Sequence, residues 1–160
     1  MDLYNEDWRH SGSDEDILSL EGSDDSAAVA KLAAYLKAHN VVVLRVTETM
    51  VLIEHSTRKF VLAPKLQEAG LDRIVIHEFW TANRDPAGRA ALLELANDLN
   101  NTFNTGAFYV DVDGDLAYQT QLTFLNQITW KEMDAFLSWH GFTIFAVLLS
   151  RQDDLGKFLA

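Results

Sequence analysis

The sequence predicts an α+β fold, a twisted antiparallel sheet with helices packed against it. Three observations carry that expectation. Apolar residues recur at helical spacing in three separated stretches. Between the first two lies a block of β-branched runs broken by polar turns. A glycine-centred reversal, FYVDVDGDLAYQTQL, precedes the last helix. The expected order is helix, three or four strands, helix, hairpin, helix. The 160 residues suit one domain with a proper core.

Residues 1–22 read as a flexible acidic leader and residues 23–160 as the single domain. The leader lacks periodicity and contains Ser and Gly. Trp8, Ile17, Leu18 and Leu20 are too apolar for a plain spacer, so they are expected to dock on the body or on a partner. The first helix spans about 24–38, capped by Ser23 or Ser26, with Val29, Leu32, Ala33 and Leu36 on one face. Strands follow at 41–46, 50–55, 59–63 and 73–80. Pro64 is expected to stop the third, because it has no ladder donor. Asp85-Pro86 opens the second helix as N-cap and first helical residue. Leu92, Leu95, Leu99 and Phe103 form its apolar stripe. Its asparagine-rich end is expected to cap the last carbonyls. The last helix begins at Thr129, where Thr129 and Glu132 match a capping box.

The DVDGD stretch raises the question of a calcium loop. Counted from Asp111, the positions that require Gly and a bidentate Glu hold Leu116 and Leu122, so the loop fails both. A strand reversal fits instead, and parity selects its length. A three-residue loop, Val112-Asp113-Gly114, pairs Asp111 with Asp115 and puts Phe108, Val110, Leu116, Tyr118 and Leu122 on one face. A two-residue loop would mix both faces. Gly114 then takes the left-handed position of the loop, and the acids are expected to be solvated.

Composition narrows the function. The net charge is −11, and residues 1–25 hold nine acids against one base. An acidic chain repels phosphate backbones, so no direct nucleic-acid contact is expected, whereas a basic partner protein, nucleic-acid-binding proteins included, is electrostatically easier. The absence of cysteine excludes disulfides and thiolate chemistry and fits a reducing cytoplasmic location. No signal peptide is evident, and the uninterrupted apolar run FTIFAVLL is too short to span a bilayer, so no membrane contact is expected. Catalytic signatures are absent: no G-x-S-x-G, Walker loop, G-x-G-x-x-G or H-E-x-x-H. His77 and Glu78 are adjacent in a strand and point to opposite faces. No catalytic residue, metal ligand or cofactor is expected.

The last helix is the informative element. Trp130, Met133, Leu137, Ile144 and Leu148 make one stripe, Phe136, Trp139 and Val147 a second, and Phe142, Phe145 and Leu149 lie on another side. A helix in a two-layer domain should show water a polar face. This one needs further cover, from a second copy, the apolar part of the leader or a client segment. Phe136, Trp139, Phe142, Phe145 and Leu149 are therefore the expected dimer or partner interface.

The helix end ALLELANDLNN running into FYVDVDGDLAYQTQL, followed by the capped ITWKEMDAFL, resembles the YbjN-like family of bacterial sensory transduction regulators. The resemblance covers roughly residues 26–150. It implies a fold like that of type III secretion chaperones and a homodimer. It puts Asn97, Asn100 or Asn101 at the family's helix-end asparagines and Gly114 at its turn. Gly141 departs from a good helix interior by about 1 kcal/mol and leaves open a break, with FTIFAVLL as a strand; the resemblance favours helix. The expected function is a non-enzymatic, chaperone-like or adaptor module that holds a partner polypeptide. The alternative is a small-ligand-sensing regulator with a pocket at Tyr109, Tyr118 or Trp80.

Overall fold

The computed structural model describes residues 16–67, 71–83 and 85–159. Its centre is a six-stranded antiparallel sheet in the order β2-β3-β4-β5-β7-β6. Strands β2 (Val42–Val46), β3 (Val51–His55), β4 (Arg58–Lys65) and β5 (Leu71–Trp80) form a meander. Strand β7 (Leu116–Leu125) pairs along the whole of β5, and β6 (Ala107–Val110) closes the far edge. The expected stop at Pro64 does not occur: Pro64 sits inside β4 opposite Ile74. Pairing between β4 and β3 ends at Leu62, so from Ala63 onward the β3 side of β4 is an open edge. A residue without an N–H is tolerated at such a position.

Helices α1 (Asp25–Ala38), α2 (Pro86–Thr102) and α3 (Trp130–Ser150) pack on one face of the sheet. The first core joins Val29, Leu32 and Leu36 of α1 and Met133 and Leu137 of α3 to Ile53, Phe60, Leu62, Ile74 and Ile76. The second joins Leu92, Leu95 and Leu99 of α2 and Ile144 and Val147 of α3 to Phe108, Leu116 and Tyr118. Alternation along the strands puts all these sheet residues on one side. The α1 cap is Asp24, not Ser23 or Ser26: its carboxylate accepts from the Ala27 N–H at 2.7 Å. Asp85 caps α2 as expected, accepting from the Gly88 N–H at 2.6 Å, with Pro86 at the first turn. The capping box of α3 is present: the Thr129 hydroxyl accepts from the Glu132 N–H, and the Glu132 carboxylate accepts from the Thr129 N–H at 2.9 Å. Helix α3 runs unbroken through Gly141, so FTIFAVLL is helix.

Three short elements were not expected. Strand β1 (Ile17–Ser19) pairs with β8 (Gln127–Thr129), and α4 (Gln152–Phe158) follows α3. The first falls inside the stretch read as a flexible leader. Leu18 and Leu20 are buried in the first core beside α1 and α3, while Ile17 stays exposed. Burying two leucines stabilises by about 2 kcal/mol each, enough to hold a three-residue strand in place. Asp16 anchors its start: its carbonyl accepts from the Tyr35 hydroxyl at 2.9 Å and from the Trp130 N–H at 3.1 Å. Its carboxylate lies 2.8 Å from His39 Nε2, near enough for an ion pair although off line for a hydrogen bond. The His39 ring stacks on Trp130. Burial, with Asp16 and Glu132 near, pushes the Tyr35 hydroxyl up to about 12. Trp8 lies outside the described residues.

The hairpin has the expected register. Val110 faces Leu116 and Phe108 faces Tyr118, and the Asp111 N–H donates to the Asp115 carbonyl at 3.0 Å. Gly114 has φ +87°, and its N–H donates to the Asp111 carbonyl. The aspartates are not merely solvated. Asp111 accepts from the N–H groups of Asp113 and Asp115, both at 2.9 Å, and Asp115 accepts from the Ala82 N–H at 3.0 Å. Asn100 does not cap the end of α2 either. Its side chain accepts from the Phe108 N–H at 2.7 Å and donates to the Phe108 carbonyl at 2.8 Å, satisfying the outer edge of β6.

Candidate protein-binding surfaces

Helix α3 turns one side to the sheet and another to solvent. Met133, Leu137, Ile144 and Val147 are almost fully enclosed. On the other side Phe142 is 71%, Leu149 59%, Phe145 58% and Trp139 40% exposed. Steps of three or four residues along a helix keep neighbours on one face, so these four form a continuous apolar stripe. Phe136 does not belong to it. It is partly buried against the first core and stacks on Trp139. Leu18 and Leu20 cover the first core, not the stripe, which answers one expectation about the leader.

A buried polar set fixes the helix on the sheet. Glu78 of β5 points to the helix side, where its carboxylate pairs with Arg58 at the start of β4 and with His140 Nε2 at 3.1 Å. His140 is fully enclosed, with Phe60 and Tyr118 rings against it. Its Nδ1 and the Arg58 Nε lack partners. Burying such a group is costly unless it is paired, so the set prefers one rotation of α3. That rotation leaves Phe142 and Phe145 outward. Residues 58, 78 and 140 are too far apart in sequence for any local pattern to show the cluster. As expected, His77 sits on the opposite face from Glu78. There its Nδ1 lies 3.4 Å from the Tyr109 hydroxyl.

Little here invites chemistry. Among the described residues no three His, Asp or Glu side chains gather around a possible metal position. Tyr118 is buried in the second core and Tyr109 stands on the other face, so Tyr109, Tyr118 and Trp80 do not line a common pocket. An open cleft of about 240 Å³ lies instead between the start of α2 and the hairpin tip, lined by Asn83, Asp85, Pro86, Arg89, Asp113 and Gly114. Among the described residues α3 is the one helix long and apolar enough to cross a membrane, with a mean hydropathy of 1.3. The expectation of no such segment counted only the uninterrupted run after Gly141.

The sequence pattern of YbjN, described as "Putative bacterial sensory transduction regulator", matches residues 28–141. The chain belongs to the YbjN family. A solved structure described as "Crystal structure of YbjN, a putative transcription regulator from E. coli" shares the fold at 13% identity and a TM-score of 0.60. The match covers 82% of this chain and 94% of that one. No curated protein matches. In this YbjN-family chain the matched span contains Phe136, Trp139 and Gly114, whereas Phe142, Phe145 and Leu149 lie just beyond it.

Proposed function

We propose that this YbjN-family chain is a non-enzymatic regulatory module that pairs with a second copy through α3 and holds a partner polypeptide. The observation that carries the reading is the stripe of Trp139, Phe142, Phe145 and Leu149, exposed on a helix whose orientation is locked by Glu78 and His140. A 21-residue helix is about 30 Å long. That length suits a two-fold contact in which the same residues meet across the axis. The family description supports a regulatory role, and the acidic, cysteine-free composition suits the cytoplasm. Sedimentation equilibrium tests the pairing. The native chain is expected at twice its 18.0 kDa subunit mass, and Phe142→Asp with Phe145→Asp at the subunit mass. A native chain that stays at the subunit mass at high concentration overturns the pairing.

A further inference from the structure

The second face of the sheet has no helix on it among the described residues. Register shows which side chains share it. Arg45, Leu52, Val61, His77, Gln119 and Ala107 lie in one row across the six strands. Glu54 and Lys59 lie in the next, Ala63, Val75 and Gln121 in another, and Lys65, Arg73 and Thr123 beyond that. The Arg73 guanidinium donates to Gln121 at 3.4 Å across this face. Within these rows, in a chain of net charge −11, stand four bases, Arg45, Lys59, Lys65 and Arg73, against one acid, Glu54, which faces Lys59. Asp111 and Asp115 share the face only at its hairpin end, beyond Tyr109 and Ala117. Burial, and then Lys65, lower the His77 ring below its ordinary value, so the four bases carry the charge at neutral pH.

The apolar members are placed to match. Leu71, Phe79 and Leu125 are exposed at the ends of the same face. Its centre, Ala63 and Val75, is buried. Lys65 and Lys59 are six residues apart on β4, about 20 Å. A helix about 10 Å across laid over the Ala63–Val75 row would set acids on one flank against Lys65 and Arg73 and on the other against Arg45 and Lys59.

We infer that the helix-free face of the sheet docks an acidic amphipathic helix of a partner polypeptide, which adds a third layer to the fold. This rests on the protein-binding reading above and names the partner's chemistry. A nucleic acid fits less well: a polyphosphate extends beyond four bases into the field of an acidic chain, whereas a short peptide meets only the local rows within a screening length of about 10 Å.

The test uses fluorescence anisotropy with a labelled amphipathic Leu/Glu peptide of about five turns. Its probes for comparison are the same peptide with Lys for Glu and a single-stranded oligodeoxynucleotide of equal length. The Glu peptide is expected to bind, to weaken with added salt, and to weaken about tenfold or more on Lys65→Glu with Arg73→Glu. Lys59→Glu, at an exposed position, provides a second variant, and circular dichroism checks that each variant is folded. Phe142→Asp is expected to leave the affinity unchanged. No binding of the Glu peptide, equal binding by the folded charge variants, or equal or tighter binding of the Lys peptide or oligonucleotide overturns the inference. Peptide binding by a chain that sediments at the subunit mass supports this inference while removing the pairing. Failure of the peptide with an intact dimer removes this inference alone.

Discussion

Replacing Glu78 by alanine should cost the fold about 3 kcal/mol. Glu78 is 4% exposed and joins Arg58 to His140. Breaking a buried ionic set by removing one partner costs about 3–5 kcal/mol, because the remaining groups are left without compensation. The lower end applies here. The Arg58 side chain is about a fifth exposed and keeps some water, whereas His140 keeps none. Its Nδ1 already lacks a partner, so the substitution leaves the whole ring unpaired in the core. For a chain of this length such a loss lowers Tm by roughly 6–12 °C. Urea unfolding followed by fluorescence gives the free energy, and hydrogen exchange across α3 shows whether the helix loosens. Glu78→Leu with His140→Leu should recover much of the loss, since an apolar replacement of a buried polar pair is often close to neutral. A loss under about 1 kcal/mol for Glu78→Ala would refute the argument that this set locks α3.

Other substitutions test other joints. Asn100→Ala should cost about 2 kcal/mol and remove exchange protection from the Phe108 amide, because it strips both hydrogen bonds from the edge of β6. Gly106→Ala should cost at least about 2 kcal/mol in thermal unfolding, since a methyl there collides with the Gln119 carbonyl and the Tyr118 ring. His77 should titrate below 6.5 by NMR, and Lys65→Ala should move it upward. The folded state therefore binds this proton less readily than the unfolded state. Stability from His77 is full above the unfolded value and declines as pH falls through the folded one. Thr129→Ala should cost about 1 kcal/mol and raise the Glu132 carboxyl only part of the way to its ordinary value, because the backbone N–H bond that lowers it most remains and the hydroxyl bond alone is lost.

What could be read beforehand was what local chemistry decides. The three-residue loop at Gly114 followed from alternation alone, since a one-residue slip would put Asp111 beside Leu116 and Tyr118 and Asp115 beside Phe108 and Val110, mixing both faces. The α3 cap followed from Thr129 and Glu132, and the exposed stripe from helical spacing. All but one of the errors share one cause, contacts between distant segments. Pro64 continues β4 because β3 has already ended. Strand β1 exists because Leu18 and Leu20 find a core built by α1 and α3. Asn100 serves β6 instead of its own helix. The α1 cap is the exception, a local choice between neighbouring capping residues in which Asp24 rather than a serine accepts from the Ala27 N–H. The Glu78 set joins residues 20 and 62 positions apart. The basic sheet face was partly legible. Lys59 and Lys65 share parity, but only the register with β5 puts Arg73 beside them.

The absence of cysteine gives a direct measurement of the pairing through α3. Single cysteines introduced as Phe142→Cys, Phe145→Cys and, on α2, Leu93→Cys can be oxidised under mild conditions and separated by mass. A cross-linked dimer is expected from position 142 or 145 and little from the equally unique thiol at 93. Cross-linking no greater at 142 and 145 than at 93 would contradict it.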